Sequence, residues 1–302
     1  MPLFAGFDLG GTQLKYGLLD ERLHPVLKGR SPSPPNRGEL VSLFRSLWEE
    51  LTRKERRIIR AAGFGLPGIF SRREQRLVQA PNYPSLDGSR LRPAIARFVK
   101  APFWIDNEAN FAAYGEYRCG AGRGRHHLIL ITLGTGIGSG IIIDGEILHG
   151  ACGYAAEMGH ITVRPNGARC RCGSRGCLET EASAGAITRT YARLSRSHSS
   201  LGTEEIAARA RSGDAAAHRS FERAGYYLGI ALSIALNLLN PEKILLGGGV
   251  MESADLILHS AVAEARRRAF RASFTASTIE KAALGNDAGF IGAAAWARDN
   301  LL

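Results

Sequence analysis

The chain has 302 residues, enough for two domains or for one large α/β unit with an ample core. Hydrophobic residues make up 45% of the chain and charged residues 22%. No apolar run approaches the roughly 18 residues of a membrane span, so we expect a cytoplasmic protein with no membrane partner. The net charge of +11 suggests a nucleic-acid partner, but the basic residues are dispersed along the chain without aromatic residues interleaved, and we expect none.

The first part of the chain alternates between strands, turns and helices. Leu3–Asp8 is an apolar strand with no basic segment before it and no small-residue cleavage site after it, which is unlike a signal peptide. The elements predicted next are the turn Gly10-Gly11-Thr12, strands Leu14–Asp20 and Leu23–Lys28, a proline-rich loop over residues 31–36, helix Glu39–Leu51, strand Ile58–Phe64, the turn Gly65–Gly68, strand Phe103–Asp106 and helix Ala109–Tyr117.

A second cycle of the same kind begins near His127. Its predicted elements are strand Leu128–Leu133, the turn Gly134–Gly138, strands Ser139–Asp144 and Glu146–His149, helices Ala182–Leu194, Thr203–Ala210 and Ala215–Leu239, strand Lys243–Leu246, the turn Gly247–Gly249, and helices Ala254–Ala269 and Asp287–Asn300. Because a strand, a glycine-rich turn and a second strand occur in both cycles, we predict two related α/β domains. We place the smaller at residues 1–117 with the terminal helix 288–302 and the larger at 118–287, with a ligand-binding cleft between them.

Three glycine-rich turns follow strands and suit the binding of phosphate. The first is preceded by Asp8 and followed by Lys15, with Gly10, Gly11 and Thr12 between them. Glycines let backbone N–H groups approach phosphate oxygens, and a carboxylate beside them can hold the magnesium that bridges phosphates. The second turn contains Gly134, Thr135 and Gly136, and the third contains Gly247, Gly248 and Gly249. One such turn alone is more often a plain hairpin, but three at strand ends favour a nucleotide site.

A cluster of cysteines indicates a structural metal site. Cys170, Cys172 and Cys177 lie within eight residues, and His160 precedes them. Three thiolates and one imidazole are a complete tetrahedral set for zinc, with no position left open for catalysis. The alternative is three unrelated buried cysteines, which the clustering disfavours. Cys119 and Cys152 lie outside the motif and are interpreted as ordinary core thiols.

The glycine motifs resemble those of a known family. Asp8–Lys15 resembles the first phosphate motif of the sugar kinase, heat-shock ATPase and actin superfamily. The stretch Leu130–His160, with glycines at positions 134, 136, 138, 140, 150, 153 and 159, resembles the signature of the ROK family of sugar kinases and sugar-responsive repressors. The resemblance extends to Gly289–Ala294. It implies an actin-like (ribonuclease H-like) two-domain α/β fold with an interdomain cleft, Mg-ATP as cofactor and a hexose as substrate.

The resemblance also implies roles for individual polar residues. In this family the motif matched by Cys170–Glu179 binds zinc and shapes the sugar site. The residues that match positions where the family contacts sugar hydroxyls are Asn82, Asn107, Glu157, His160 and Glu179.

The predicted catalytic base departs from the family pattern. The family sequence resembles Asn-Asp-Ala-Asn, with the aspartate as base, whereas this chain has Glu108 at that position, between Asn107 and Ala109. Glutamate keeps the charge, but its carboxylate lies one methylene further from the backbone. We predict that Glu108 is the base. The alternatives are that Glu108 only complements the dipole of its helix, or that Asp106 takes the role.

These features predict an ATP-dependent hexose kinase, acting on the 6-hydroxyl of glucose, that forms a homodimer or homotetramer. The main alternative is a sugar sensor or repressor of the same family with little or no catalysis. Because the first phosphate motif starts at Asp8, no room is left for an N-terminal DNA-binding helix-turn-helix, which favours the enzyme. Other hexoses, an N-acetylated hexosamine, and polyphosphate in place of ATP stay open.

Overall fold

The computed structural model describes residues 2–55, 58–196 and 201–301. The strands within these ranges are β1 (Leu3–Leu9), β2 (Gln13–Leu19), β3 (Pro25–Pro32), β4 (Ile59–Leu66), β5 (Ile69–Ser71), β6 (Arg76–Gln79), β7 (Phe103–Asn107), β8 (Leu128–Leu133), β9 (Ile137–Ile143), β10 (Glu146–Ile147), β11 (Lys243–Gly247) and β12 (Thr278–Lys281). The helices are α1 (Arg37–Lys54), α2 (Arg92–Ile95), α3 (Glu108–Cys119), α4 (Leu178–Ala182), α5 (Ala184–Ser195), α6 (Thr203–Arg211), α7 (Ala215–Leu239), α8 (Ala254–Arg268), α9 (Arg271–Ala276) and α10 (Ala288–Asp299).

The predicted elements are present in the predicted order, with two corrections. Strand β3 continues to Pro32, inside the predicted loop, because this strand lies at a sheet edge where the missing N–H of proline breaks no ladder. The predicted helix Ala182–Leu194 begins two residues later, as α5, because the side chain of Ser183 accepts a hydrogen bond from the N–H of Ala186 and caps the helix there. The short elements β5, β6, α2, α4, α9 and β12 are not among the predicted elements.

The predicted repeat is confirmed as two sheets with corresponding strand orders. One has the order β3-β2-β1-β4-β7, and the other has the order β10-β9-β8-β11-β12. In the first sheet β1 pairs antiparallel with β2 and parallel with β4, and in the second β11 pairs parallel with both β8 and β12. Each first hairpin, β1–β2 and β8–β9, turns through a glycine-rich segment. The structure thus has the α/β fold that the sequence predicts.

The chain divides into two compact units. Unit 1 consists of Met1–Gly124, Gly140–Ala156 and Leu284–Leu302, and unit 2 consists of Arg125–Ser139 and Glu157–Ala283. The domain boundary at residues 117 and 118 stays a prediction.

Helix α10 packs directly on the backbone of unit 1. All its residues from Ala288 to Ala297 are buried. A methyl group at Gly6 of β1 would lie 1.9 Å from the carbonyl oxygen of Phe290, and one at Gly292 would lie 1.6 Å from that of Phe111 in α3. Only glycine permits such approaches, which bring the first turn of α10 to the end of β1.

Unit 2 has its core around the long helix α7. Gly225 and Gly229 of α7 allow α8 to approach closely, because a methyl group at either position would lie 2.6 Å from a carbonyl oxygen of α8. The inward face of α7 includes Phe221, Leu228 and Leu232, all fully buried. Within the described ranges of both units, no helix combines the length and the apolar character needed to cross a membrane.

Candidate active site

The first glycine turn of unit 1 places a carboxylate at the end of β1. Asp8 is partly buried, opposite Lys15 on β2 and beside Gly65 on β4. Burial raises the pKa of Asp8 from 3.8 to about 6, and the charge of Lys15 opposes that rise. A methyl group at Gly289, in the first turn of α10, would lie 2.4 Å from the carboxylate. Asp8 therefore lies close against the first turn of α10, and its burial disfavours the charged form of the carboxylate.

The backbone of this turn is open towards a ligand. Gly10 closes the hairpin by donating its N–H to the carbonyl oxygen of Gln13 at 2.9 Å. Gly11 is exposed, and a methyl group there would meet no atom within 4 Å. The following residue, Thr12, is also exposed and accepts from the N–H of Ser33 through its carbonyl oxygen. A phosphate would find accessible N–H groups here.

Unit 2 contains the matching turn between β8 and β9. The N–H of Gly134 donates to the carbonyl oxygen of Gly136 at 2.9 Å, and the carbonyl oxygen of Gly134 accepts from Ala184. The third turn follows β11, where Gly248 has a positive φ of 84° and a methyl group on it would lie 2.4 Å from the carbonyl oxygen of Leu133. The second and third turns are therefore neighbours at the same end of their sheet.

The turn from β7 into α3 presents the predicted base. Glu108 is the first residue of α3 and is partly buried. Asn107 caps the helix by accepting from the N–H groups of Ala109 and Asn110, and its amide nitrogen donates to the carbonyl oxygen of Gly68 at 3.0 Å. Because the amide of Asn107 is fixed at both ends, the position of Glu108 follows from the capping geometry.

Asp106, the alternative base, is occupied by other contacts. Its side chain is only 6% exposed. One carboxylate oxygen accepts from the N–H of Asn107 at 2.7 Å and from the amide of Asn110 at 3.0 Å. The other oxygen lies 2.5 Å from Nε2 of His149, whose Nδ1 lies 2.8 Å from a guanidinium nitrogen of Arg72. Both oxygens are therefore engaged in holding the turn, which favours Glu108 as the base.

Asn82, predicted to bind the sugar, lies in a tight turn of unit 1. The N–H of Tyr83 donates to the carbonyl oxygen of Ala80 at 2.8 Å, and the N–H of Ala80 donates to the carboxylate of Asp87 at 2.6 Å. These bonds close the turn and leave Asn82 exposed while Tyr83 is buried. The turn thus presents the amide of Asn82 at the surface of the unit.

The predicted sugar-binding residues of unit 2 form one cluster. Glu157 precedes a short 3₁₀ turn that ends at His160, and burial together with the charge of Glu179 raises the pKa of Glu157, against the opposing effect of His160. Glu179, in α4, accepts from the N–H of Ile137 at 3.0 Å. Glycine at position 159 allows this segment to pack on β9, since a methyl group there would lie 2.0 Å from the carbonyl oxygen of Ile137. The cluster therefore lies directly against the second glycine turn.

The four predicted metal ligands come together in unit 2. The Sγ of Cys170 lies 3.6 Å from Nδ1 of His160, the Sγ atoms of Cys172 and Cys177 lie 3.6 Å apart, and all four ligand atoms lie within 4.8 Å of one another. A tetrahedral zinc ion with ordinary bond lengths sets its ligand atoms about 3.5–3.8 Å apart. Burial and the adjacent thiols of Cys172 and Cys170 raise the pKa of Cys177 to about 12. The set fits a cation that would stabilise the thiolates.

Sequence reasoning missed His149 and Arg72. His149 contacts Asp106, which lies 43 positions earlier in the chain, and Arg72, which lies 77 positions earlier. A histidine at the end of a predicted strand has no local pattern that signals such a contact. The sequence-predicted residues Asp106 and Asn107 were the available clue, since a buried carboxylate beside a helix cap requires further donors.

The chain is similar to known proteins in both sequence and structure. The family whose profile matches the chain is the ROK family, over residues 4–300. A glucokinase of Halalkalibacterium halodurans is 36% identical over 96% of this chain and 93% of its own length. A xylose repressor of Bacillus subtilis is 32% identical over 80% of this chain and 61% of its own length. The crystal structure of a ROK family glucokinase from Streptomyces griseus, in complex with glucose and AMPPNP, has a TM-score of 0.85 at 32% identity and covers 99% of this chain and 100% of that one.

Proposed function

Since the chain belongs to the ROK family, we propose that it is an ATP-dependent hexose kinase that phosphorylates the 6-hydroxyl of glucose. The observation that supports this most is similarity to glucokinases over nearly the whole length of both chains. Two further features support the proposal: the carboxylate of Glu108 at the start of α3, and the glycine turns at the strand ends of each unit. Enzymatic phosphoryl transfer depends mainly on positioning and electrostatic stabilisation, which these elements supply.

Glu108 accepts the proton of the sugar hydroxyl. The hydroxyl oxygen forms a bond to the γ-phosphorus, the bond between that phosphorus and the β,γ-bridging oxygen breaks, and ADP leaves with the bonding electrons. Glu108 lies at the N-terminus of α3, where the helix dipole is favourable for a negative charge. Asn107 and Asn82 hydrogen-bond to sugar hydroxyls, as do Glu157, His160 and Glu179.

Asp8 would hold a magnesium ion, directly or through water, and the ion would supply positive charge to the phosphates. Gly11 and Thr12 donate N–H groups to phosphate oxygens from a turn that the N–H of Gly10 closes, and Lys15 adds a positive charge. Thr135 and Gly136 do the same from the second turn, which the N–H of Gly134 closes. Gly247, Gly248 and Gly249 lie against the adenosine, where a backbone without side chains permits close approach.

Zinc is the metal we propose for His160, Cys170, Cys172 and Cys177. Cys177 directly precedes α4, so a metal at this site would fix the helix that contains Glu179. His160 would fix the segment of Glu157 in the same way. The ion has a structural role, because four protein ligands leave no open position for a substrate.

Replacing Cys172 by serine is expected to lower the zinc content from one atom per chain to nearly none and to lower the melting temperature, since metal binding is part of the folding free energy. Metal analysis and thermal unfolding measure the two effects. The control is Cys152→Ser. The prediction that Cys152 is a core thiol is wrong, because Cys152 is exposed, and it lies outside the cluster. Full zinc content in the Cys172→Ser protein would contradict the assignment.

A sugar sensor with weak catalysis is the second candidate function. Two observations favour it, the glutamate in place of the family aspartate and the similarity to a xylose repressor. Such a protein would bind hexoses and release little ADP. The oligomeric state, a homodimer or homotetramer, stays a prediction.

A coupled assay of ADP release, run over glucose, mannose, xylose and N-acetylated hexosamines, separates these functions. The kinase hypothesis expects saturable turnover with glucose and ATP that depends on magnesium. Repeating the assay with polyphosphate in place of ATP identifies the phosphoryl donor. Binding of a sugar measured by calorimetry, together with the absence of turnover for every sugar and donor, would favour the sensor.

A further inference from the structure

We propose that His149 is a positioning residue for the transfer step. Through Asp106, it fixes the turn between β7 and α3 from which Glu108 and Asn107 project. The inference rests on the proposed function of Glu108 as the base. It assigns a role to a histidine that lies outside the three glycine turns and the set of four predicted metal ligands.

The carboxylate of Asp106 joins this turn to His149. One of its oxygens accepts from the N–H of Asn107 at 2.7 Å and from the amide of Asn110 at 3.0 Å, so it binds both sides of the residue that begins α3. The other oxygen contacts Nε2 of His149 at 2.5 Å. A carboxylate on a side chain that is only 6% exposed needs donors on both oxygens, and His149 supplies the donor for the second.

Arg72 determines which nitrogen of His149 bears the proton. A guanidinium can only donate, so the contact of 2.8 Å between Arg72 and Nδ1 requires that Nδ1 accept. The N–H of the imidazole is then at Nε2 and points to Asp106. Trp296 packs edge-on against the ring, with centroids 6.0 Å apart. Because both ring nitrogens are engaged, His149 orients Asp106 and does not itself take a proton from a substrate.

The turn is confined on its other side by β4. A methyl group at Gly65 would lie 3.2 Å from the Cα of Glu108, so the backbone of Glu108 lies almost in contact with the strand. Without the contact between His149 and Asp106, the turn would be free to move away from β4. A displacement near 1 Å at a reacting group costs about a hundredfold in rate. The contact between His149 and Asp106 therefore affects turnover more than sugar binding.

The test compares His149→Leu, which has no donor, with His149→Gln, whose amide can donate from nearly the same position as Nε2. We expect His149→Leu to lower kcat about 10- to 100-fold, with the KM for the hexose within about threefold of wild type. We expect His149→Gln to recover at least tenfold over His149→Leu. The control is His259→Leu, at an exposed position of α8, for which kcat and KM should not change. Thermal unfolding and zinc content establish that each variant is folded.

If His149→Leu does not fold, Arg72→Met replaces it, since Arg72 is exposed and its loss leaves the core intact. We expect a lower kcat at unchanged KM, and recovery in Arg72→Lys, which keeps a donor for Nδ1. If the wild type is active and kcat is unchanged in the folded His149→Leu protein or in Arg72→Met, the positioning role is overturned and the proposed function is not. A rise in KM at constant kcat would also overturn the positioning role, because it would indicate that the substituted residue contacts the sugar. A wild type without kinase activity would overturn the proposed function and this inference together.

Discussion

Replacing Glu108 by glutamine is expected to lower turnover by about 10² to 10⁴, the usual contribution of a general base, while hexose binding stays within a few fold. Glutamine keeps the shape of the side chain but cannot accept the proton of the sugar hydroxyl. Steady-state ADP release measures the turnover, and calorimetry with the hexose alone measures the binding. The engaged oxygens of Asp106 leave Glu108 as the carboxylate of this turn that we propose for the role.

The matched control is Glu39→Gln, because Glu39 also lies in the first turn of a helix, α1, in unit 1. If Glu108 only complements the helix dipole, both variants should lose about 0.3–1 kcal/mol of stability and keep their turnover. Glu108→Asp is the sharper comparison, since it changes reach without changing charge. A lower rate would indicate a site adapted to glutamate, and a higher rate would indicate a weakened kinase or a sensor.

Asp8→Asn is expected to lower turnover by orders of magnitude and, in the metal-free protein, to raise stability at neutral pH. Burial raises the pKa of Asp8 to about 6 from the 3.8 of an ordinary aspartate. The native state thus binds the proton more tightly than the unfolded state, and the free energy of unfolding falls as the pH rises from about 4 to 6. Asparagine does not ionise, so the variant does not lose this part of the free energy of unfolding, which amounts to about 1–3 kcal/mol at pH 7. Thermal unfolding at pH 4 and pH 7 measures it.

Asp20→Asn provides the control of opposite sign. Burial raises the pKa of Asp20, but the hydrogen bonds from the N–H groups of His24 and Arg22 outweigh burial, so the pKa is lowered. The contribution of Asp20 to stability is therefore present above its unfolded-state pKa and is lost as the pH falls. This variant should be less stable than wild type at pH 7 and should keep its turnover. Unchanged turnover in Asp8→Asn would mean that Asp8 merely ends a strand. Lower stability at pH 7 in Asp8→Asn would contradict the cost of its burial.

The sequence by itself determined the elements and the local motifs. Strand β8 and helix α7 have the predicted bounds, because apolar spacing of period 2 or 3.6 is a property of neighbouring residues. The metal cluster was predictable for the same reason, since Cys170, Cys172 and Cys177 lie within one short loop. The first two glycine turns also follow from local sequence, and their recurrence predicted two related α/β domains. The structure has two sheets with corresponding strand orders.

Only the tertiary structure decided which polar groups meet. The contacts of Asp106 with His149 and of Glu179 with Ile137 join residues 43 and 42 positions apart, and no periodicity links such positions. Burial then constrains what each group can do. A carboxylate removed from water must find donors, so both oxygens of Asp106 are engaged in structural contacts, and Glu108 is the carboxylate that we propose for the chemistry. The hydrophobic pattern selects the fold, whereas the pairing of buried polar atoms, which depends on how distant segments pack, determines the site.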